Sequence, residues 1–122
     1  MPLMRTYVRR FGGTAMAELL VLEFEGVDKE MYEKVNGILG IDSVSGEGDW
    51  PKGLLVHSAG RTANGWMVTE VWDSREDQDN FMKSTLGAAL QKAGVDKPPT
   101  KAEWTALHAH HQPAKAKAGA AS

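Results

Sequence analysis

The chain has no cysteine among its 122 residues. That excludes disulfides, thiolate nucleophiles and every zinc or iron–sulfur site built on sulfur, and it fits a reducing, cytoplasmic setting. It also lacks any run near the ~20 apolar residues that a membrane helix needs. No apolar stretch follows Met1–Arg10, so a secretory leader is not expected. No phosphate-binding glycine loop, dinucleotide fingerprint or nucleophile elbow is present. Aromatic residues are few, at 7%, and four of them are tryptophans, so the places where they gather carry weight.

Charge of one sign is scarce where it would matter for nucleic acid. All 16 acidic residues fall between Met16 and Gln112, against 9 basic ones, while the remaining five basic residues sit in the two ends of the chain. A central portion near −7 repels nucleic acid and anionic lipid, so neither is an expected partner. The length suits one domain. Residues 1–15 read as an N-terminal arm, either loose or resting on a partner subunit, and 113–122 as a patternless Ala/Lys/Gly tail; the folded domain spans 16–112.

The chain is organised around Leu54–Ser74, LLVHSAGRTANGWMVTEVWDS. Asn64-Gly65 between alternating segments is a strong signal for a type I′ hairpin, because both residues tolerate positive φ. A two-residue turn there pairs Ala63 with Trp66, Arg61 with Val68, Ala59 with Glu70 and His57 with Trp72. One hairpin face then carries His57, Ala59, Arg61, Trp66, Val68, Glu70 and Trp72. That face is the expected site.

Ala17–Glu25 is a strand apolar on both sides. Asp28 caps a helix that reaches Leu39 and stops at Gly40; Val27 and Tyr32 form a hydrophobic staple, and Met31, Val35, Ile38 and Leu39 its buried stripe. Ile41–Gly53 reads as a long loop in which Trp50-Pro51 either covers a pocket or anchors the loop. Ser74 caps a second helix running to Gly94, with Phe81 on its inner stripe and Gly87 as a midway break or kink. Thr100–His110 is a last strand. His108, His110 and His111 form a chelating pattern that no further ligand completes, so no metal is expected.

The order strand, helix, strand, strand, helix, strand predicts a ferredoxin-like α+β fold, a four-stranded antiparallel sheet with two helices on one face. The other face is left open, and the apolar central strand with a two-tryptophan hairpin predicts a homodimer packed through that open face.

At Gly53–Ser84 the pattern of Glu70, Trp72, Ser74, Glu76 and Phe81 resembles the dimeric α+β barrel superfamily, nearest its antibiotic-biosynthesis-monooxygenase-like branch. The resemblance spans Met16–His110. It implies a homodimer with an apolar pocket in each protomer and a cofactor-independent oxygenation of a small hydrophobic aromatic, in which the protein removes a proton, stabilises the oxyanion and excludes water; a related isomerase or cyclase is also within its scope. On that reading His57 is the base, since free imidazole titrates near working pH. Arg61 stabilises the oxyanion and Glu70 orients His57 or Arg61. Trp66 and Trp72 stack on the ligand or donate an indole N–H, with Trp50, Phe81 and Tyr32 completing the binding wall. The heme-degrading branch is set aside, because Phe81 and Gln91 stand where its tryptophan and histidine would be. The competing expectation is a non-enzymatic, stress-associated or small-ligand-binding barrel in which the tryptophans only pack and Arg61–Glu70 is a salt bridge.

Overall fold

The computed structural model describes residues 17–111 and 113. The expected arm at 1–15 and nearly all of the expected tail at 113–122 lie outside the described residues. The elements run β1 (Glu18–Glu25), α1 (Lys29–Leu39), β2 (Ile41–Asp42), β3 (Glu47–Gly48), β4 (Leu54–Arg61), β5 (Gly65–Trp72), α2 (Arg75–Phe81), a π-helical turn (Met82–Leu86), α3 (Gly87–Ala93) and β6 (Lys101–Ala106). The main sheet has the order β4-β5-β1-β6 with antiparallel neighbours throughout, the ferredoxin-like arrangement.

The caps stand where side-chain chemistry puts them. The Asp28 carboxylate accepts the Met31 amide at 2.9 Å, and the Ser74 hydroxyl accepts that of Asp77 at 3.1 Å, each satisfying an orphan donor of a first turn. Gly40 ends α1 in the left-handed conformation at φ 83°, which a side chain would strain. The stripe of α1 is rotated from expectation. Val35 and Asn36 are buried and Tyr32 faces the sheet, while Ile38 is 41% exposed.

The hairpin register differs by two residues from the expected one. Arg61 lies opposite Trp66, Ala59 opposite Val68, and His57 opposite Glu70 rather than Trp72. Thr62 and Gly65 close the turn, the Thr62 amide donating to the Gly65 carbonyl at 2.9 Å, so Ala63-Asn64 are its central residues. Gly65 is needed for another reason. It pairs with Glu25 of β1, where a Cβ would run into the Phe24 carbonyl oxygen. Because the shift is even, each side chain keeps its face.

The helices cover the face that carries Trp66, Val68, Glu70 and Trp72, joined there by Leu20, Leu22 and Phe24 of β1. Val35, Ala89 and Ala93 form the buried contact between α1 and α3, with Leu39, Leu86, Leu90 and Val95 against it. Both hairpin tryptophans therefore lie beneath the helices and not on the open face, which carries Leu19, Val21, Met67, Thr69 and Val71. Arg75 locks the start of α2 to the sheet, donating to Glu18 at 2.7 Å with its guanidinium 5.1 Å over Trp104.

Three further departures have local causes. The expected loop at Ile41–Gly53 contains the small β2–β3 hairpin, since the Asp42 carboxylate accepts the amides of Val44 and Ser45 and folds the chain back. Those two bonds hold the Asp42 carboxyl below the usual range. The second helix does not break at Gly87 but widens just before it, and the Gly87 amide bonds back to the Met82 carbonyl. The last strand ends at Ala106, so His108 and His110 lie beyond it. No group of three metal-type side chains gathers among the described residues.

Candidate functional site

A cavity of about 300 Å³ lies between the sheet and the helices. That is the small end of ligand pockets. Its wall is almost wholly apolar, with Leu22, Phe24 and Val68 from the sheet and Met31, Phe81 and Leu86 from the helical segments. The polar groups in it are few; Asn36 and Lys97 line it, and Tyr32, His57 and Glu70 converge.

His57 is their centre. Its Nδ1 lies 3.2 Å from Glu70 Oε2, and its Nε2 lies 2.6 Å from the Tyr32 hydroxyl. Glu70 is buried, and its other oxygen accepts the Trp72 indole N–H at 2.8 Å. A carboxylate can only accept, so in the neutral imidazole His57 Nδ1 carries the proton and Nε2 presents its lone pair to the Tyr32 O–H. The result is a directed chain: Tyr32 donates to His57, and His57 and Trp72 donate to Glu70. Burial pushes the Tyr32 phenol above its ordinary value. The Asn36 amide acts against that without making a well-formed hydrogen bond, and the carboxylates of Glu33 and Glu70 add to it. Tyr32 at rest is a neutral donor.

Local sequence explains the placement. Leu54 pairs with Trp72 and Val56 with Val71, so Leu55 is an extra residue in β4. In a regular strand Leu54 and His57 would point to opposite faces; the bulge turns both to the cavity, leaving Leu55 41% exposed. The π turn brings Phe81, Met82 and Leu86 together to the cavity wall. Trp50 stands at the rim, 37% exposed, its indole N–H bonded to the Gly46 carbonyl at 2.9 Å and its ring 5.4 Å from His57.

Of the residues singled out in the sequence, His57, Glu70, Tyr32, Trp66, Trp50 and Phe81 line one cavity. Trp72 does not line it. Fully buried, it stands behind Glu70 and touches Phe81, their ring centroids 6.0 Å apart. Arg61 is exposed at the end of β4 and does not line the cavity either. Glu70 holds His57 and Trp72, and Arg61 faces Trp66 across the strands rather than lying diagonal to Glu70. Trp66 packs on Tyr32 with centroids 5.1 Å apart, and its buried Nε1 has no hydrogen-bond partner among the described residues. The sequence placed Tyr32 only on the binding wall. Its hydrogen bond to His57 spans 25 residues, and no local pattern announces such a contact.

The fold has solved counterparts. A protein of Chloroflexus aurantiacus J-10-fl, provisionally described as an antibiotic biosynthesis monooxygenase, superposes with a TM-score of 0.55 at 16% identity, over 79% of this chain and 97% of that one. A Nitrosomonas europaea protein of unknown function superposes with a TM-score of 0.52 at 17% identity, over 80% of this chain and 92% of that one. At such identity the likeness is one of fold alone. No family model matches the chain, and no curated protein does. No helix among the described residues is long and apolar enough to cross a membrane.

Proposed function

We propose that this protein is a cofactor-independent monooxygenase whose cavity takes a small, flat, hydrophobic aromatic and whose His57–Glu70 pair removes a proton from it. The observation that supports this reading is the hydrogen-bonded chain Tyr32–His57–Glu70 set in an apolar wall. An imidazole oriented by a carboxylate is a competent base, and the apolar surroundings keep water from the anion it creates. The electron-rich carbanion then reacts with O₂. Arg61 stands outside the cavity, and the side chains lining it that carry N–H donors for a developing oxyanion include Asn36, Trp66 and Lys97.

Anthrone, a tricyclic ketone with an acidic benzylic C–H, is a suitable probe, because its oxidation balances as anthrone plus O₂ to anthraquinone plus water. The protein should consume one O₂ per anthrone above the uncatalysed rate in an oxygen electrode. His57→Ala should lower that excess about 10²–10³-fold. Anthrone that binds but is never consumed would overturn the monooxygenase and favour a ligand-binding barrel. Full activity in His57→Ala would overturn the base.

The working unit in this proposal is a homodimer joined through the open sheet face, where Leu19, Val21 and Met67 present half-buried apolar side chains. Sedimentation velocity at micromolar concentration should find a dimer. A monomer there would remove the assembly from the reading.

A further inference from the structure

The base described above is not free. The Tyr32 hydroxyl sits 2.6 Å from His57 Nε2 and occupies the only lone pair the imidazole offers to the cavity. A substrate therefore reaches His57 only by displacing Tyr32 or by acting through it. Displacement is the costlier path. The Tyr32 ring lies 5.1 Å from Trp66 and nearly coplanar with His57, at an interplanar angle of 11°, and it rides on α1, whose next turn is packed against α3. Swinging it away would break these contacts and the hydrogen bond to His57.

We propose that Tyr32 is a catalytic residue, the group that touches the substrate and passes its proton to His57. This rests on the reading of His57–Glu70 as the base. In the step, the substrate's acidic C–H or O–H bond breaks and its proton bonds to Tyr32 Oη. The proton of Tyr32 moves at the same time to His57 Nε2. The electron pair stays on the substrate as an enolate or phenolate, and the imidazolium faces the Glu70 carboxylate, which it already contacts through Nδ1. No electron leaves the system and no co-reactant is required. The arrangement is that of a nucleophile–histidine–carboxylate triad, with a phenol in the first place serving as base rather than nucleophile. Burial keeps this phenol protonated at rest, so the path conducts only when a bound acid supplies a proton to Tyr32 Oη as its own proton leaves for His57.

The relay also sets the substrate class. A phenolate relay matches acids of its own strength best, because proton transfer is most efficient between groups of similar basicity. The cavity should therefore favour phenols and enolisable aryl ketones and show no chemistry with equally shaped hydrocarbons.

The test uses anthrone in D₂O without oxygen, following exchange of its benzylic hydrogens by mass spectrometry, so that proton abstraction is read apart from oxygen chemistry. The whole protein should accelerate exchange. Tyr32→Phe should slow that acceleration at least ~100-fold with anthrone affinity unchanged. Replacing Tyr32 with 3,5-difluorotyrosine, which acidifies the phenol and keeps its shape, should move the pH at which the exchange rate stops rising to a lower value. If the wild-type protein gives no exchange, the base reading falls and the relay with it. If the wild type exchanges and Tyr32→Phe matches it, the relay alone is overturned. Loss in Tyr32→Phe with an unmoved pH profile in the fluorinated protein overturns it too, since Tyr32 would then only position His57.

Discussion

Glu70→Gln is expected to lower anthrone hydrogen exchange about 10³–10⁴-fold while leaving the protein folded. The size follows from what the substitution does to hydrogen-bond direction, not to shape. Glu70 accepts twice, from Trp72 at 2.8 Å and from His57 Nδ1 at 3.2 Å. A glutamine keeps one acceptor, which Trp72 takes because its indole can only donate. The amide NH₂ is then left facing His57 Nδ1, which must give up its proton to accept. The imidazole turns to the other tautomer, with its proton on Nε2 aimed at Tyr32. Tyr32 can no longer donate, and the chain points the wrong way. Reversal of this kind in a serine–histidine–aspartate triad costs about 10⁴-fold with the geometry intact. The loss of stability should be confined to about 1–3 kcal/mol, the usual cost of disturbing one buried polar contact. Nitrogen NMR of His57 reads the cause directly: the proton should sit on Nδ1 in the wild type and on Nε2 in the variant. Exchange within threefold of wild type would show that Glu70 does not set the tautomer.

The face that carries this chain was legible in the sequence, and the chain itself was only half so. Strand alternation put His57, Trp66, Glu70 and Trp72 on one side, and an error of two residues in register could not move them off it. The same error matched His57 with Trp72 and so hid the direct cross-strand contact between His57 and Glu70. Its source was Gly65, read as a turn residue when its lack of a side chain serves the close approach of β5 to β1. Arg61 entered the expected site by alternation alone, which fixes its face but not its reach, and it lies at the exposed strand end outside the cavity. Caps at Asp28 and Ser74 were readable because they act over three residues. The Leu55 bulge and the π turn were not, since each inserts one residue to satisfy packing that only the folded chain has. The Tyr32–His57 bond depends on how α1 is rotated over the sheet, and the hydrophobic pattern of that helix, which favoured Ile38 over Asn36, pointed to a slightly different face.

Trp72→Ala is expected to be the most destabilising single change in the hairpin, at about 3–5 kcal/mol, a large part of the margin of a domain this size. Trp72 is 0% exposed and is the largest side chain so completely enclosed among the described residues. Removing it opens a void beneath Phe81 and takes away the indole that donates to Glu70. Trp72→Phe separates these contributions. Phenylalanine keeps most of the apolar volume and loses the N–H with part of the indole's bulk, so its cost should be about 1–2 kcal/mol. Urea unfolding of both variants gives the two values, with an unchanged dependence on denaturant confirming that the same surface is exposed. The difference between them is the packing of the ring that phenylalanine retains, and the smaller value combines the hydrogen bond with the bulk it lacks. The exchange rate should respond differently from stability. Glu70 in Trp72→Phe still accepts from His57 Nδ1, the tautomer is kept, and hydrogen exchange should fall no more than about tenfold, far less than in Glu70→Gln. If Trp72→Phe instead removed activity as completely as Glu70→Gln, Trp72 would be setting the direction of the chain, and Glu70 would need that indole to hold its place. If Trp72→Ala cost less than about 1 kcal/mol, the site could close over the void, and the packing of Trp72 would not be what holds the hairpin.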